Sequence, residues 1–107
     1  MPHVCAREND MKYAIMLEKT ATPEAFQAVV PDHVAYLERL HADGVLIAAG
    51  PFRDGQGGML LIDVENESAA RTVAEADPFV AQQVEKYELR SWEVLSDVRS
   101  ELLTRDG

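Results

Sequence analysis

The sequence has one cysteine, Cys5, and few basic residues, and each shortage excludes a class of protein. A single cysteine cannot form a disulfide within the chain, which favours the reducing cytoplasm over an oxidising compartment. Ten basic against 19 acidic residues give a formal net charge of −9, so the chain lacks the basic surface on which nucleic-acid and anionic-membrane binding depend. No apolar run approaches the ~20 residues of a membrane-spanning helix. We therefore expect a cytoplasmic protein with no nucleic-acid or membrane partner.

The 107 residues, 47% of them hydrophobic, are enough for one globular domain. We expect a polar, flexible N-terminal extension over residues 1–10, the folded domain over 11–95 and a C-terminal tail over 96–107. His3 and Cys5 lie in the extension, and two ligands do not close a zinc site. The acidic residues show no pattern typical of a metal cage, so we expect no metal and no cofactor.

The first half of the domain contains signals for a strand and two helices. Alternating apolar residues predict a strand over 12–18. Thr22 followed by Pro23 is typical of a helix start. Pro31 disfavours the helical conformation of the residue before it, so we expect a second helix to restart there and run to about Asp43. Gly44 is typical of a left-handed helix cap.

The second half contains three further strands and one main helix. Short apolar strands are predicted over 45–51 and 59–65, with a flexible turn over 53–58 between them. Asn66 predicts the cap of a helix that ends near residue 76, and a short helical segment follows Pro78. The last strand, 87–95, changes the phase of its apolar residues, which predicts a bulge near Ser91 or a strand covered on both faces.

This order, βαββαβ, is typical of a ferredoxin-like α+β fold, in which both helices cover one face of a four-stranded antiparallel sheet. The other face would then carry apolar residues such as Ala14, Met16 and either Leu60 or Leu61. Because an exposed apolar sheet face marks an interaction surface, we expect two copies to pack face to face as a dimeric α+β barrel. The expected partner is therefore a second copy of the chain.

His33 lies on the apolar stripe of its helix, together with Tyr36, Leu37 and Leu40. It follows Pro31 in what we expect to be the first helical turn, where the positive helix end disfavours a protonated imidazole. A neutral imidazole is suited to act as a general base. The alternative is a core histidine whose one hydrogen bond is satisfied within the fold.

Asp77 precedes Pro78, and this pair is typical of a helix N-cap. Capping alone would explain the aspartate. The carboxylate has two oxygens, however, so one could cap the helix while the other orients an imidazole. The residues leave both roles open.

The stretch "PDHVAYLERLHADGVLIAAGP", followed by "AEADPFV" and a closing strand, resembles the YciI-like (YCII-related) family of small dimeric α+β barrel proteins. The resemblance covers residues 11–95. It implies a pocket shared by a catalytic histidine and aspartate, and the positions that carry those motifs are His33 and Asp77. Gly50 and Pro51 match the segment beside that pocket.

One branch of this family removes chloride from a chlorinated hydroxyhydroquinone, and related barrels act on aromatic compounds as isomerases or monooxygenases. The resemblance therefore implies a cofactor-free enzyme that uses a His–Asp pair for proton transfer on a small cyclic or aromatic substrate, halogenated phenols included. The alternative is a pocket that only binds a small molecule, or an accessory subunit of a metabolic pathway, because both need the same apolar walls.

Three side chains near the pair are candidates for contacts with a substrate. Tyr36 and Phe79 neighbour the expected pocket in sequence. Arg53 lies in the glycine-rich turn, where it would meet an anionic substrate or simply remain a solvated surface charge.

Overall fold

The structure, a computed structural model, describes residues 11–94. The expected extension at 1–10 and tail at 96–107 lie outside the described residues. The elements, in chain order, are β1 (Met11–Lys19), α1 (Pro23–Ala42), β2 (Leu46–Pro51), β3 (Gly57–Val64), α2 (Glu67–Ala76), α3 (Pro78–Ala81) and β4 (Glu85–Trp92). Within this part of the chain, no helix combines the length and the apolar character needed to cross a membrane.

The four strands form one antiparallel sheet in the order β2-β3-β1-β4. Strands β1 and β3, which are not consecutive, lie side by side in the middle of the sheet. This is the ferredoxin-like α+β arrangement predicted from the order of the elements, and the prediction is confirmed.

The core lies between one face of the sheet and the helices. Ile15 in β1 and Leu60 and Ile62 in β3 are among its most buried side chains. In α2, Ala70 and Ala74 are fully buried, and their small side chains allow the helix to lie close to its neighbours. Because successive residues of a strand point to opposite faces, this assigns Leu60 to the core.

The opposite face of the sheet, called here the open face, carries an apolar centre. Ala14 of β1 pairs with Leu61 of β3, and Met16 pairs with Met59, so all four side chains share this face. Trp92 at the end of β4 is 49% exposed. The open face therefore contains Leu61, and of the two leucines considered from the sequence, Leu60 is the wrong one.

Helix α1 is continuous, and the prediction that it restarts at Pro31 is wrong. Thr22 caps it, because its Oγ1 accepts from the Ala25 N–H at 3.2 Å. Pro31 lies inside the helix, on an exposed position. Apolar residues before and after the proline pack against the same core, and this packing outweighs the local preference of Pro31. Gly44 follows the helix with a φ of 78°, which confirms the predicted left-handed cap.

Strand β4 has no bulge, and the predicted irregularity near Ser91 is wrong. Its residues pair with β1 without interruption, from Lys19 opposite Glu85 to Lys12 opposite Trp92. The apolar phase changes because Tyr87 and Leu89 face the helices, whereas Trp92 lies on the open face. A register shift does occur in the sheet, but in β2, between Leu46 and Ala48.

Candidate active site

Asp77 forms the corner between α2 and α3. Its backbone ends α2, and its side chain caps α3, because Oδ1 accepts from the Phe79 N–H at 2.9 Å. Pro78 in the first turn of α3 favours this helix start. The residue is 1% exposed, so a carboxyl group is held inside the protein by a local capping motif.

His33 reaches the same oxygen from α1. Its Nδ1 lies 2.8 Å from Asp77 Oδ1. An ionised carboxylate can only accept hydrogen bonds, so Nδ1 carries the proton and Nε2 is the basic nitrogen of the neutral ring. The pair thus combines a fixed tautomer with a free proton acceptor, as a general base requires.

Two details of the expected pair are different in the structure. His33 lies well inside a helix that begins at Pro23, so it does not experience the field of a helix N-terminus. The capping and the orienting oxygen are the same atom, Asp77 Oδ1, whereas the sequence suggested one oxygen for each task. Asp77 Oδ2 is buried and has no hydrogen-bond partner among the described residues.

Aromatic stacking fixes the plane of the imidazole. The His33 and Phe79 rings stack with centroids 3.9 Å apart and an interplanar angle of 16°. On its far side, Phe79 stacks against Phe26 at 4.6 Å. Lys19 Nζ lies 4.2 Å from the centre of the Phe26 ring. The hydrogen bond and the stack together limit both tilting and rotation of the His33 ring.

His33 lines a cavity of about 430 Å³ between α1, the β2–β3 hairpin and the start of β4. Most of its walls are apolar, and they include Val30, Val34, Leu37, Met59 and Leu60. A cavity of this size and composition suits a small organic ligand.

Glycines allow two close backbone approaches at the hairpin, of Gly57 to β1 and of Gly58 to β2. A Cβ on Gly57, where φ is 143°, would overlap the carbonyl oxygen of Leu17. A Cβ on Gly58 would lie 2.7 Å from the Gly50 carbonyl oxygen. The glycine-rich segment thus forms a wall of the cavity made largely of backbone.

The structure brings some of the predicted contact residues to the cavity and not others. Gly50, Pro51 and Phe79 line it. Tyr36 does not, because its hydroxyl donates to the Val73 carbonyl of α2 at 2.7 Å. Burial, and next the negative charge of Asp77, raise the pKa of Tyr36, so its hydroxyl stays protonated as a donor. Arg53 is exposed in the β2–β3 turn and does not line the cavity.

Glu85, which sequence reasoning missed, is a second carboxyl group at the cavity. It is 4% exposed and lines the same space as His33. Burial is the main cause that raises the pKa of Glu85, and Asp77 adds to it, while His33 and Lys19 act in the opposite direction. The alternation of Glu85, Tyr87 and Leu89 would have indicated its inward direction had the strand been predicted to begin two residues earlier.

Another cavity of about 430 Å³ lies at one end of β1 and β4 and is lined by residues such as Met16, Lys86 and Glu88. Its lining contains no histidine, and its two carboxyl groups, Glu18 and Glu88, are exposed, so it lacks a counterpart of the buried His33–Asp77 pair. Among residues 11–94, no three His, Cys, Asp or Glu side chains are arranged to hold a metal ion.

Known proteins are similar to this chain in sequence and in fold. Residues 11–93 match the profile of the YCII-related domain family. The uncharacterized protein YjpA of Bacillus subtilis (strain 168) is 29% identical over 82 residues, which cover 77% of this chain and 96% of YjpA.

Two solved structures have a similar fold. The 5-chloro-2-hydroxyhydroquinone dehydrochlorinase TftG of Burkholderia phenoliruptrix, in complex with 2,5-dihydroxybenzoquinone, aligns with a TM-score of 0.62 and 23% identity over 78% of this chain and 94% of that protein. The cofactor-independent oxygenase SnoaB of Streptomyces nogalater aligns with a TM-score of 0.53 and 10% identity over 86% of this chain and 99% of that protein. At these identities the likeness is one of fold.

Proposed function

This chain belongs to the YCII-related domain family, and we propose that it is a small cofactor-independent enzyme that transfers protons on a small cyclic or aromatic substrate. The observation that carries the proposal is the 2.8 Å contact between His33 Nδ1 and Asp77 Oδ1 at the wall of an apolar cavity. His33 is the base in this proposal, and Asp77 orients it and stabilises its protonated form.

The proposed step begins when Nε2 of His33 accepts a proton from a hydroxyl or an acidic C–H of the substrate. The electron pair left on the substrate then has two outcomes. In a ring tautomer whose halogen-bearing carbon is tetrahedral, it expels the halide, so that HX is lost overall; otherwise another atom of the ring system takes up a proton, which is an isomerisation. Neither outcome requires an oxidant or a reductant.

The substrate class follows from the walls and from the structural relatives. The aromatic side chains Phe26 and Phe79 line the cavity together with aliphatic residues, and walls of this kind suit a small ring. The relatives TftG and SnoaB are a dehydrochlorinase of a chlorinated hydroxyhydroquinone and a cofactor-independent oxygenase. We therefore propose hydroxylated rings, with halogenated phenols among them, as the first compounds to test.

The test is a panel of chlorinated and unchlorinated hydroquinones, assayed for chloride release and, by NMR, for isomerisation. We expect at least one compound to react and the His33→Ala variant to be inactive. His41→Ala is the matched control, because His41 is an exposed histidine on the same helix.

The alternative is a protein that only binds a small molecule, or an accessory subunit. Binding of panel compounds that depends on His33 but never leads to turnover would favour that alternative. Equal activity of the wild type and the His33→Ala variant would contradict the enzymatic proposal directly.

We further propose that the open face pairs two copies of the chain. Its centre, formed by Ala14, Met16, Met59 and Leu61, is apolar. Its β4 side carries charges of both signs, Lys86 and Arg90 beside Glu88, and all three are exposed. A two-fold axis can place such mixed charges opposite each other while it covers the apolar centre.

A further inference from the structure

Within residues 11–94, neither a helix cap nor an ion pair accounts for the buried acidic residue Glu85. It is 4% exposed, and its Oε1 has no hydrogen-bond partner among residues 11–94. A buried carboxyl oxygen without a partner is costly, so its retention calls for a reason. Glu85 lines the cavity that His33 lines, and that cavity supplies the reason.

The register of the sheet explains how Glu85 arrives there. It is the first residue of β4 and lies opposite Lys19, the last residue of β1. Paired residues share a face of the sheet, so the side chain points toward the helices, as do those of Tyr87 and Leu89. Val84, just before it, is fixed by hydrogen bonds of its backbone to Phe79 and Thr20. Glu85 is therefore held by rigid structure at the cavity wall.

We propose that Glu85 is the acid of this site and donates a proton to a substrate oxygen while His33 removes a proton elsewhere on the same molecule. This inference rests on the proposed function and extends it from one proton-transfer group to two. It also narrows the substrate to a small ring that carries a carbonyl or hydroxyl oxygen near an acidic C–H or O–H.

The surroundings of Glu85 favour its neutral form. Burial raises the pKa of the Glu85 carboxyl, and the nearby Asp77 raises it further. The charges that act in the opposite direction are those of His33 on α1 and Lys19 on β1. The protonated form of a carboxyl can donate a hydrogen bond, which the ionised form cannot.

The proton balance of the step is simple for a cyclic ketone. The α C–H bond breaks and its proton goes to His33 Nε2, while the O–H bond of Glu85 breaks and its proton goes to the carbonyl oxygen. The product is the enol, with His33 protonated and Glu85 ionised. Return of the two protons, directly or through water, restores both residues.

The first test needs no turnover. Carbon-detected NMR of the side-chain carboxyls gives the titration of Glu85, with the exposed Glu38 as an internal comparison. We expect Glu85 to lose its proton at a clearly higher pH than Glu38. If the two carboxyls titrate together, Glu85 is ionised at neutral pH and cannot be the acid.

The second test measures exchange of the α hydrogens of cyclohexanone for deuterium in D₂O. We expect Glu85→Gln to slow exchange by about 100-fold, the usual contribution of one acid–base group. The amide still donates a hydrogen bond, so the concentration of ketone at half-maximal rate should stay unchanged. Glu38→Gln, the same substitution at an exposed position on α1, should have the wild-type rate.

Two failures are distinguishable. If wild type and His33→Ala exchange at the same rate, the proposed function fails, and the role of Glu85 fails with it. If His33→Ala abolishes exchange while Glu85→Gln retains the full rate, the base is real and only the role of Glu85 is wrong.

Discussion

His33 and Asp77 are 44 residues apart in the chain, yet His33 Nδ1 and Asp77 Oδ1 lie 2.8 Å apart. The same oxygen also accepts the Phe79 N–H at 2.9 Å, and the Phe79 ring stacks on His33. Two of these contacts connect α1 with the α2–α3 corner, and the third holds the corner itself together. Substitutions at Asp77 can separate the contribution of this oxygen's geometry from that of its charge.

Asp77→Asn should reduce activity far more than stability. An asparagine oxygen can accept both hydrogen bonds, but it cannot stabilise a protonated imidazole as a carboxylate does. Asp77→Ala removes the acceptor itself, so we expect loss of activity together with about 2 kcal/mol less unfolding free energy, for the lost cap and the unpaired donor. Urea unfolding measures the stabilities.

The position of the proton on the His33 ring can be measured in the same variants of Asp77. In ¹⁵N spectra, the neutral His33 ring should carry its proton on Nδ1 in the wild type and in Asp77→Asn, and should lose that preference in Asp77→Ala. The exposed His41 should be the same in all three. Spectra of His33 that do not change in Asp77→Ala would mean that Asp77 is only a helix cap.

Tyr36→Phe should destabilise the protein without affecting ligand binding. The substitution leaves the part-buried Val73 carbonyl without the donor that now lies 2.7 Å away. We expect a loss of about 1 to 2 kcal/mol in unfolding free energy. Ligand titration calorimetry with any compound that the protein binds should give the wild-type affinity. A large loss of affinity would show that Tyr36 reaches the ligand after all.

Glu85→Gln should change how stability depends on pH. Burial raises the folded-state pKa of Glu85 above its ordinary value of 4.5, so the proton is bound more tightly in the folded than in the unfolded chain. This contribution is complete below about pH 4.5 and is lost as the pH rises through the folded-state pKa. Relative to wild type, the glutamine variant should therefore gain stability as the pH rises above 4.5 in urea unfolding series. Glu38→Gln should show no such trend.

Leu61→Glu should convert the proposed dimer into monomers. The substitution adds a charge at the apolar centre of the open face, where Leu61 pairs with Ala14 and Ala48. Burying an unpaired charge costs several kcal/mol. Light scattering at micromolar concentration should give twice the 11.9 kDa chain mass for wild type and one chain mass for the variant. Gln27→Glu, an exposed change on α1, should remain dimeric, and a monomeric wild type would contradict the pairing.

The fold was predictable because its signals are local. The Asn66 cap, the Thr22 cap and the Gly44 turn each depend on a few adjacent residues, and all three are present in the structure. The helix restart predicted at Pro31 is wrong because tertiary packing of α1 outweighs the local preference of the proline. The bulge predicted before Trp92 is wrong because a change of sheet face by the apolar residues produces the same sequence pattern as a bulge.

The site was only partly predictable, for a related reason. Helical spacing correctly predicted that His33 points inward. It does not specify which neighbour each residue of the apolar stripe contacts, and Tyr36 contacts α2 instead of lining the cavity. The pairing of His33 with Asp77 was implied by the family resemblance and not by the pattern alone. Glu85 depends on the β1–β4 register, which no local signal specifies.

Asp77 Oδ1 both caps α3 and holds the His33 ring. The folding of the α2–α3 corner is therefore coupled to the orientation of the proposed base. An opening of the corner that displaces Asp77 Oδ1 breaks both hydrogen bonds, to the Phe79 N–H and to the imidazole, and so disturbs the proposed base. By reciprocity, a ligand that holds the His33 ring in place must hold the corner closed. Amide exchange at Phe79 would then slow on ligand binding, because the hydrogen bond of that amide belongs to the internal cap of α3.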